Sequence, residues 1–354
     1  MGAKNMKKIS FIIIILLLIN SFVWASNCKR VVGEILGIEK KQDIVKNEIL
    51  KVRIIEGKYE GKIITIKREI IECSSYDFDL NIGDNILIEL SLDDDGSLCG
   101  RFINIWRIDK LKNLSLIFII SIIIFGGLKG VLSISALIFS AYIILKIMVP
   151  GILKGYNIMM VSILSALIII VVSFILIAGF TKKSFVSMIG TMGGTITAGL
   201  LAYIYSKLTS ITGMADENVM FLITNIGLEL DFGSLYMSSI LIGTIGAVMD
   251  VSMSITTSMF EIKKQSPKIK RKDLIQSGFK IGKDIMSTMV NTLILAYAGS
   301  SMPLIIINVL SDVGHIYAIN NEILAMEIIR SLCSSIGLVM TIPLTVLLAA
   351  NSTK

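Results

Sequence analysis

With 54% hydrophobic residues among 354 and a mean hydropathy of +0.79, the chain carries more apolar side chain than a soluble core of this length can bury. Lipid must be part of its solvent. The net charge of +7 and pI near 9.1 do not indicate nucleic acid, because the excess Lys and Arg lies in short connections between apolar blocks, above all Glu261 to Asp284, with no basic patch of interleaved aromatics.

Residues 1–27 read as a signal peptide or an N-terminal anchor: Lys4, Lys7 and Lys8 precede the apolar run from Ile9 to Ala25. Either reading exports the segment that begins at Cys28. Asn27 stands where a lipobox needs a small residue, so Cys28 is not a lipidation site.

From residue 28 to about residue 110 the texture changes to short β-branched runs, I-I-T-I at Ile63 to Ile66 and N-I-L-I-E-L at Asn85 to Leu90, separated by turn residues at Glu56 to Lys62 and Asp93 to Ser97. This pattern predicts a small extracytoplasmic β-barrel-like domain, OB-like in size. Asp93, Asp94 and Asp95 read as a solvated turn rather than a cation site. Cys28, Cys73 and Cys99 are an odd set that permits one disulfide and requires none.

Residues 111–354 form the membrane domain. Seven apolar blocks are expected near Leu114–Leu128, Val131–Val149, Asn157–Gly179, Ser184–Lys207, Ser234–Thr257, Ile285–Ser311 and Ala325–Ala349, each about long enough to cross a hydrocarbon layer of roughly 30 Å. One orientation puts Lys129, Lys182, Lys183, the Glu261–Lys283 loop and Lys354 in the cytoplasm, and the acidic loops around Asp216, Asp231, Asp312 and Glu322 outside. The chain therefore reads as a mainly α, multi-pass protein of the bacterial cytoplasmic membrane. Val219 to Leu230, half apolar, is expected to form an interfacial helix in an outer loop.

Charges inside membrane helices are costly and usually face a bundle interior or a hydrated path. In the fifth block Gly243, Gly246, Asp250 and Ser254 share a face, which predicts that Asp250 lies in the bundle interior against the sixth block near Thr288 or Asn291. The sixth block aligns Asp284, Thr288 and Asn291, and is expected to break between Gly299 and Pro303, since Pro303 has no N–H for the Gly299 carbonyl. In the seventh, Glu327 and Arg330 are spaced for an ion pair within one helix. Each feature also has a purely structural reading: a carboxylate bonded to a neighbouring helix, a proline kink, charged side chains reaching the interface.

No catalytic, cofactor or metal site is expected. His315 is the sole histidine, which rules out a Ser-His-Asp triad and an H-E-x-x-H motif. G-F-K-I-G-K-D at Gly278 to Asp284 is similar to a phosphate loop, but its spacing is one residue short and Asp284 replaces the needed hydroxyl.

G-T-I-G-A-V-M-D-V-S-M-S-I at Gly243 to Ile255, G-K-D-I-M-S-T-M-V-N-T-L-I-L-A-Y-A-G at Gly282 to Gly299, and E-I-I-R-S-L-C-S-S-I-G-L-V-M-T-I-P-L-T at Glu327 to Thr345 closely resemble the YibE/F-like membrane proteins. The exported segment with N-I-G-D at Asn81 looks like that family's N-terminal domain. Lys283, Ser287 and Ser334 stand where the family pattern is expected to have Arg, Gly and Gly. The resemblance implies a multi-pass architecture, with transport assumed from topology alone, and the residues themselves show no ATP site. Two functions remain open: a permease or channel with Asp250 and Asn291 lining a polar path, and a membrane scaffold whose exported β-domain binds an envelope partner. Expected partners are the lipid bilayer, an unidentified small solute or ion, and an envelope protein or second copy of the chain.

Overall fold

The computed structural model describes residues 30–42, 46–69, 80–92, 98–310 and 314–353. The N-terminal segment, Cys28, Cys73, the Asp93 to Asp95 cluster and Asp312 lie outside the described residues. The chain forms two compact units and passes from one to the other between Phe125 and Gly126.

The first unit holds five antiparallel strands, β1 (Arg30–Gln42), β2 (Lys46–Ile54), β3 (Ile63–Glu69), β4 (Asn85–Leu92) and β5 (Leu98–Ile105), in the order β3-β2-β1-β4-β5. Alternation with a period of two sets their faces: Leu50, Val52 and Ile54 of β2 are buried while Lys51 and Arg53 are exposed. These side chains join Ile35, Ile66, Ile86 and Ile88 in one core. Register shifts at Ile35/Gly37 and Leu87/Ile88 add bulges, which increase local twist, and the sheet curls into a half-barrel. Gly100 of β5 sits where a Cβ would lie 2.7 Å from Ile64 of β3, so glycine is what lets the two edges approach.

The concave face also carries a charged pair. Glu48 and Arg68 are directly opposed on β2 and β3, 3.1 Å apart with side chains only 7% and 6% exposed, and the Arg68 guanidinium lies over the Phe102 ring.

The second unit is helical. α1 (Ile108–Ile143) leaves helical geometry at Gly127, φ +52°, and runs into a π-helical turn at Ile144–Met148 followed by α2 (Val149–Leu153). Pro150 has no N–H for the Lys146 carbonyl, which accounts for the widened turn. The remaining helices are α3 (Ile158–Ala178), α4 (Lys182–Leu208), α5 (Glu217–Ile226), α6 (Phe232–Gln265), α7 (Arg271–Ser300), α8 (Met302–Leu310), α9 (His315–Ile319) and α10 (Glu322–Ser352). Caps mark their starts. Asn157, Thr181, Asp216, Asp231 and Asn321 each accept a backbone N–H of the first turn. The Asp231 carboxylate also accepts from the Ser234 hydroxyl, and these bonds hold it below the usual carboxylate range.

Among the described residues five helical stretches are long and apolar enough to cross a membrane, or six if the bent pair α7–α8 is counted as one span. The difference from seven lies at the first two expected blocks, which form one 46-residue stretch, Ile108–Leu153. At 1.5 Å per residue it extends about 69 Å, more than twice the hydrocarbon thickness. The Gly127 break divides this stretch near the boundary expected between the first two blocks. α5 falls within the connection between α4 and α6, where a helix over Val219–Leu230 was expected, and is capped at its C-terminal end by left-handed Gly227.

The geometry of the half-barrel gives an expectation for the isolated domain. Residues 28–108 expressed alone should give a β-type circular dichroism spectrum and a cooperative melt. Glu48→Ala, which removes one member of the buried pair, should lower the midpoint of that melt. A disordered or helical product would contradict the expectation.

Candidate functional site

Three helices, α4, α6 and α10, make the centre of the membrane unit, and their shared surfaces are lined by small and hydroxyl residues. Gly190, Gly194 and Ala198 of α4 face α10, where Gly337, Thr341 and Thr345 receive them. A Cβ on Gly194 would collide with the Thr341 hydroxyl and lie 2.8 Å from the Gly337 carbonyl. A Cβ on Gly337 would lie 2.7 Å from Ala198 Cβ and 2.8 Å from the Gly194 carbonyl. No larger residue fits these positions at this separation.

Along this seam the hydroxyls bond partly across helices and partly back to their own. The Ser252 hydroxyl donates to the Ser187 carbonyl at 2.7 Å and lies 3.2 Å from Thr345 Oγ1. Thr244 donates to the Ile240 carbonyl at 2.6 Å and lies 2.9 Å from Ser334 Oγ, which Tyr297 of α7 approaches at 3.4 Å. Others have no partner. Thr191, Thr195, Thr256 and Ser335, all buried on these three helices, make no hydrogen bond with their hydroxyls, and neither do Ser165 of α3 and Ser206 of α4. Such groups normally find a protein or water partner, so each calls for an explanation. Thr195 also lines an otherwise apolar groove of about 340 Å³ between α3 and α4, with Met159, Ile163, Met192 and Tyr203.

At one end of the seam stands a charged centre. Arg330 donates to Glu327 at 2.7 Å, lies 3.4 Å from Ser239 Oγ, and stacks over the Tyr236 ring, whose own hydroxyl donates to the Met326 carbonyl at 2.5 Å. Glu327 Oε2 and Arg330 Nε are buried without a partner. Nearby Glu322 accepts from the backbone N–H groups of Thr212 and Gly213 and from the Thr212 hydroxyl, fixing the α4–α5 connection to the start of α10. From Arg330 to Thr345 the polar positions of α10 extend about 22 Å.

The residues singled out in the sequence do not form one path. Glu327 and Arg330 pair at the charged centre, but Gly243, Gly246, Asp250 and Ser254 lie exposed along another face of α6. The expectation that Asp250 faces α7 from the bundle interior is corrected: Asp250 is exposed and makes no hydrogen bond or ion pair with a described residue. The reason is angular. α7 packs with Gly278 and Gly282 on Met259 and Ile255, and at 100° per residue the Asp250 row lies well round the helix from these contacts. Asp284, Thr288 and Asn291 are likewise exposed on α7. Thr288 donates to the Ile285 carbonyl, and no bond is made by the Asn291 amide. A charge in that position facing lipid costs about 2.5–3.5 kcal/mol even on the lenient scale. The helix breaks between Gly299 and Pro303, where α7 and α8 meet at 63°.

Sequence reasoning passed over the seam itself. Its signal was the four-residue spacing of Gly190 with Gly194 and the row Ser334, Gly337, Thr341, Thr345, each set on one helix face. G-T-M-G-G-T and G-T-I-G-A-V look alike at Gly190 and Gly243, yet Gly190 and Gly194 are sealed under α10 while Gly246 has no heavy atom of another residue within 4 Å of a Cβ built there. Among the described residues no group of three or more His, Cys, Asp or Glu is placed to hold a metal ion.

Comparison with known proteins places this architecture. A search of curated proteins and of solved structures finds no significant match. Two family models do match in tandem, the YibE/F family N-terminal domain over residues 33–105, which contains nearly all of the half-barrel, and the YibE/F-like protein over residues 114–354, which contains the whole seam. The chain belongs to the YibE/F-like family.

Proposed function

We propose that this chain is a permease-like protein of the bacterial cytoplasmic membrane, without an ATPase of its own, in which a small solute or ion moves along the seam between α4, α6 and α10. The observation that carries the reading is the set of buried hydroxyls without partners, Thr191, Thr195, Thr256 and Ser335. A hydroxyl both donates and accepts, so several buried on neighbouring helices can replace part of a hydration shell and hold a solute weakly, as conduction requires. The Glu327–Arg330 pair at one end offers one unused acceptor and one unused donor to an incoming polar group. Opening such a route means sliding α10 along α4. Thr341 and Thr345 sit in the notches left by Gly194 and Gly190, so such a movement has to lift these side chains out of them.

The two roles of a buried hydroxyl make opposite demands, which makes the reading testable. If the seam is only packing, Thr191→Val and Ser335→Ala remove unsatisfied polar groups and should be neutral or stabilising. If it is a route, the same changes should cut transport about tenfold or more while the protein stays folded and abundant. The assay is uptake into proteoliposomes of labelled amino acids, sugars and monovalent and divalent cations. Transport of one of these by the unaltered chain and its loss in the variants is the expected result. No uptake of any, or unchanged uptake in both variants, counts against the route.

The loop charges support an orientation with residues 28–110 outside and the Lys268–Lys272 segment in the cytoplasm. A cysteine introduced at Lys58, in the exposed β2–β3 loop, should react in intact cells with a thiol reagent that does not cross membranes, and one at Lys270 should not. The reverse pattern would overturn the orientation.

A further inference from the structure

We propose that the uncovered face of α6 and α7 around Asp250 and Asn291 is an intramembrane interface with a second copy of this chain. The inference goes beyond the transport reading and does not depend on it. Asp250 lies seven residues, about 10 Å, inside the nearer end of the apolar block Ser234–Thr257, farther than the short aspartate side chain extends. It makes no bond with a described residue, and neither does the Asn291 amide. Two unpartnered polar groups on one lipid-facing surface are an acceptor and a donor in need of each other.

Their depths agree. α6 and α7 run antiparallel with Gly278 beside Met259, Gly282 beside Ile255, and Tyr297 near Gly243. That register sets Asp250 level with Ser287 and Thr288, and Asn291 level with Gly246, about one helical turn, or 5 Å, away. Copies related by an axis along the membrane normal bring residues of like depth together. Asp250 of one copy then meets Asn291 of the other, twice over. Among the described residues, nothing outside the local helix backbone lies within 4 Å of a Cβ built at Gly246, and at Gly243 only the Tyr297 hydroxyl does, so a foreign helix can come close. The membrane segment of the same chain described at Ile108–Phe125 is a poorer occupant, because Ser121 in its apolar stretch already donates to the Ile117 carbonyl.

The test is a photo-crosslinking benzoylphenylalanine placed at Ser254 of the full chain in native membranes, with Ile196 on an exposed face of α4 as control. A product of twice the monomer mass, whose linked peptide comes from α6 or α7 of a second copy, is expected from position 254 and not from 196. Asp250→Leu should lower that product about three- to twentyfold at unchanged abundance, and Asp250→Asn should retain it. Monomer alone, an internal adduct with residues 1–25 or 108–125, an adduct with a different protein, or an undiminished dimer in Asp250→Leu would each overturn the proposal.

Discussion

Gly194 and Gly337 bring the backbones of α4 and α10 so near that a Cβ on either would lie 2.8 Å from the other's carbonyl oxygen. Lipid gives helices little hydrophobic reason to associate, so close packing of small residues and hydrogen bonds between helices must supply it. That approach fixes where α6 lies, with Val248 against Gly194 and Ser252 against Gly190, and α6 in turn positions α7 through Ile255 and Met259. The charged centre follows from the same geometry: α6 and α10, held side by side, bring Tyr236 and Ser239 to Arg330.

The membrane unit handles its polar groups in three ways. Some are satisfied across helices, as in Ser252 with Ser187. Some are buried and unsatisfied, as in Thr191 and Ser335. Others, led by Asp250, are turned outward. A hydroxyl left unbonded in a packed interior costs about 1–3 kcal/mol. On the route proposed above, a solute in transit would repay that cost. The outward carboxylate has no interior use and instead asks for a neighbour.

Much of the fold was legible because periodicity reports directly on burial. The β-branched runs at Ile63 to Ile66 and Asn85 to Leu90 located β3 and β4, and the apolar blocks located the long helices, with the Gly127 break falling at the end of the first block. The Gly299–Pro303 break was visible because a missing N–H is a local property. The orientation of Asp250 was not. Helical spacing tells which residues share a face, but in lipid both faces of a helix are apolar, so nothing in the row from Gly243 to Ser254 says whether a neighbour covers it. The seam was missed for a related reason: Gly194 and Thr341 acquire meaning only from each other, across about 150 residues of chain.

Whether the seam admits water decides between a route and a packed interface. The direct measurement is the reactivity of Ser335→Cys, in a Cys333→Ser background, toward a charged thiol reagent applied to the reconstituted chain, read at the modified peptide by mass spectrometry. Leu338→Cys, one turn along α10 in the apolar core, is the reference. A hydrated route predicts that position 335 is modified at least tenfold faster than position 338. Equal, negligible rates at both would mean a dry seam and would contradict a solute route through it.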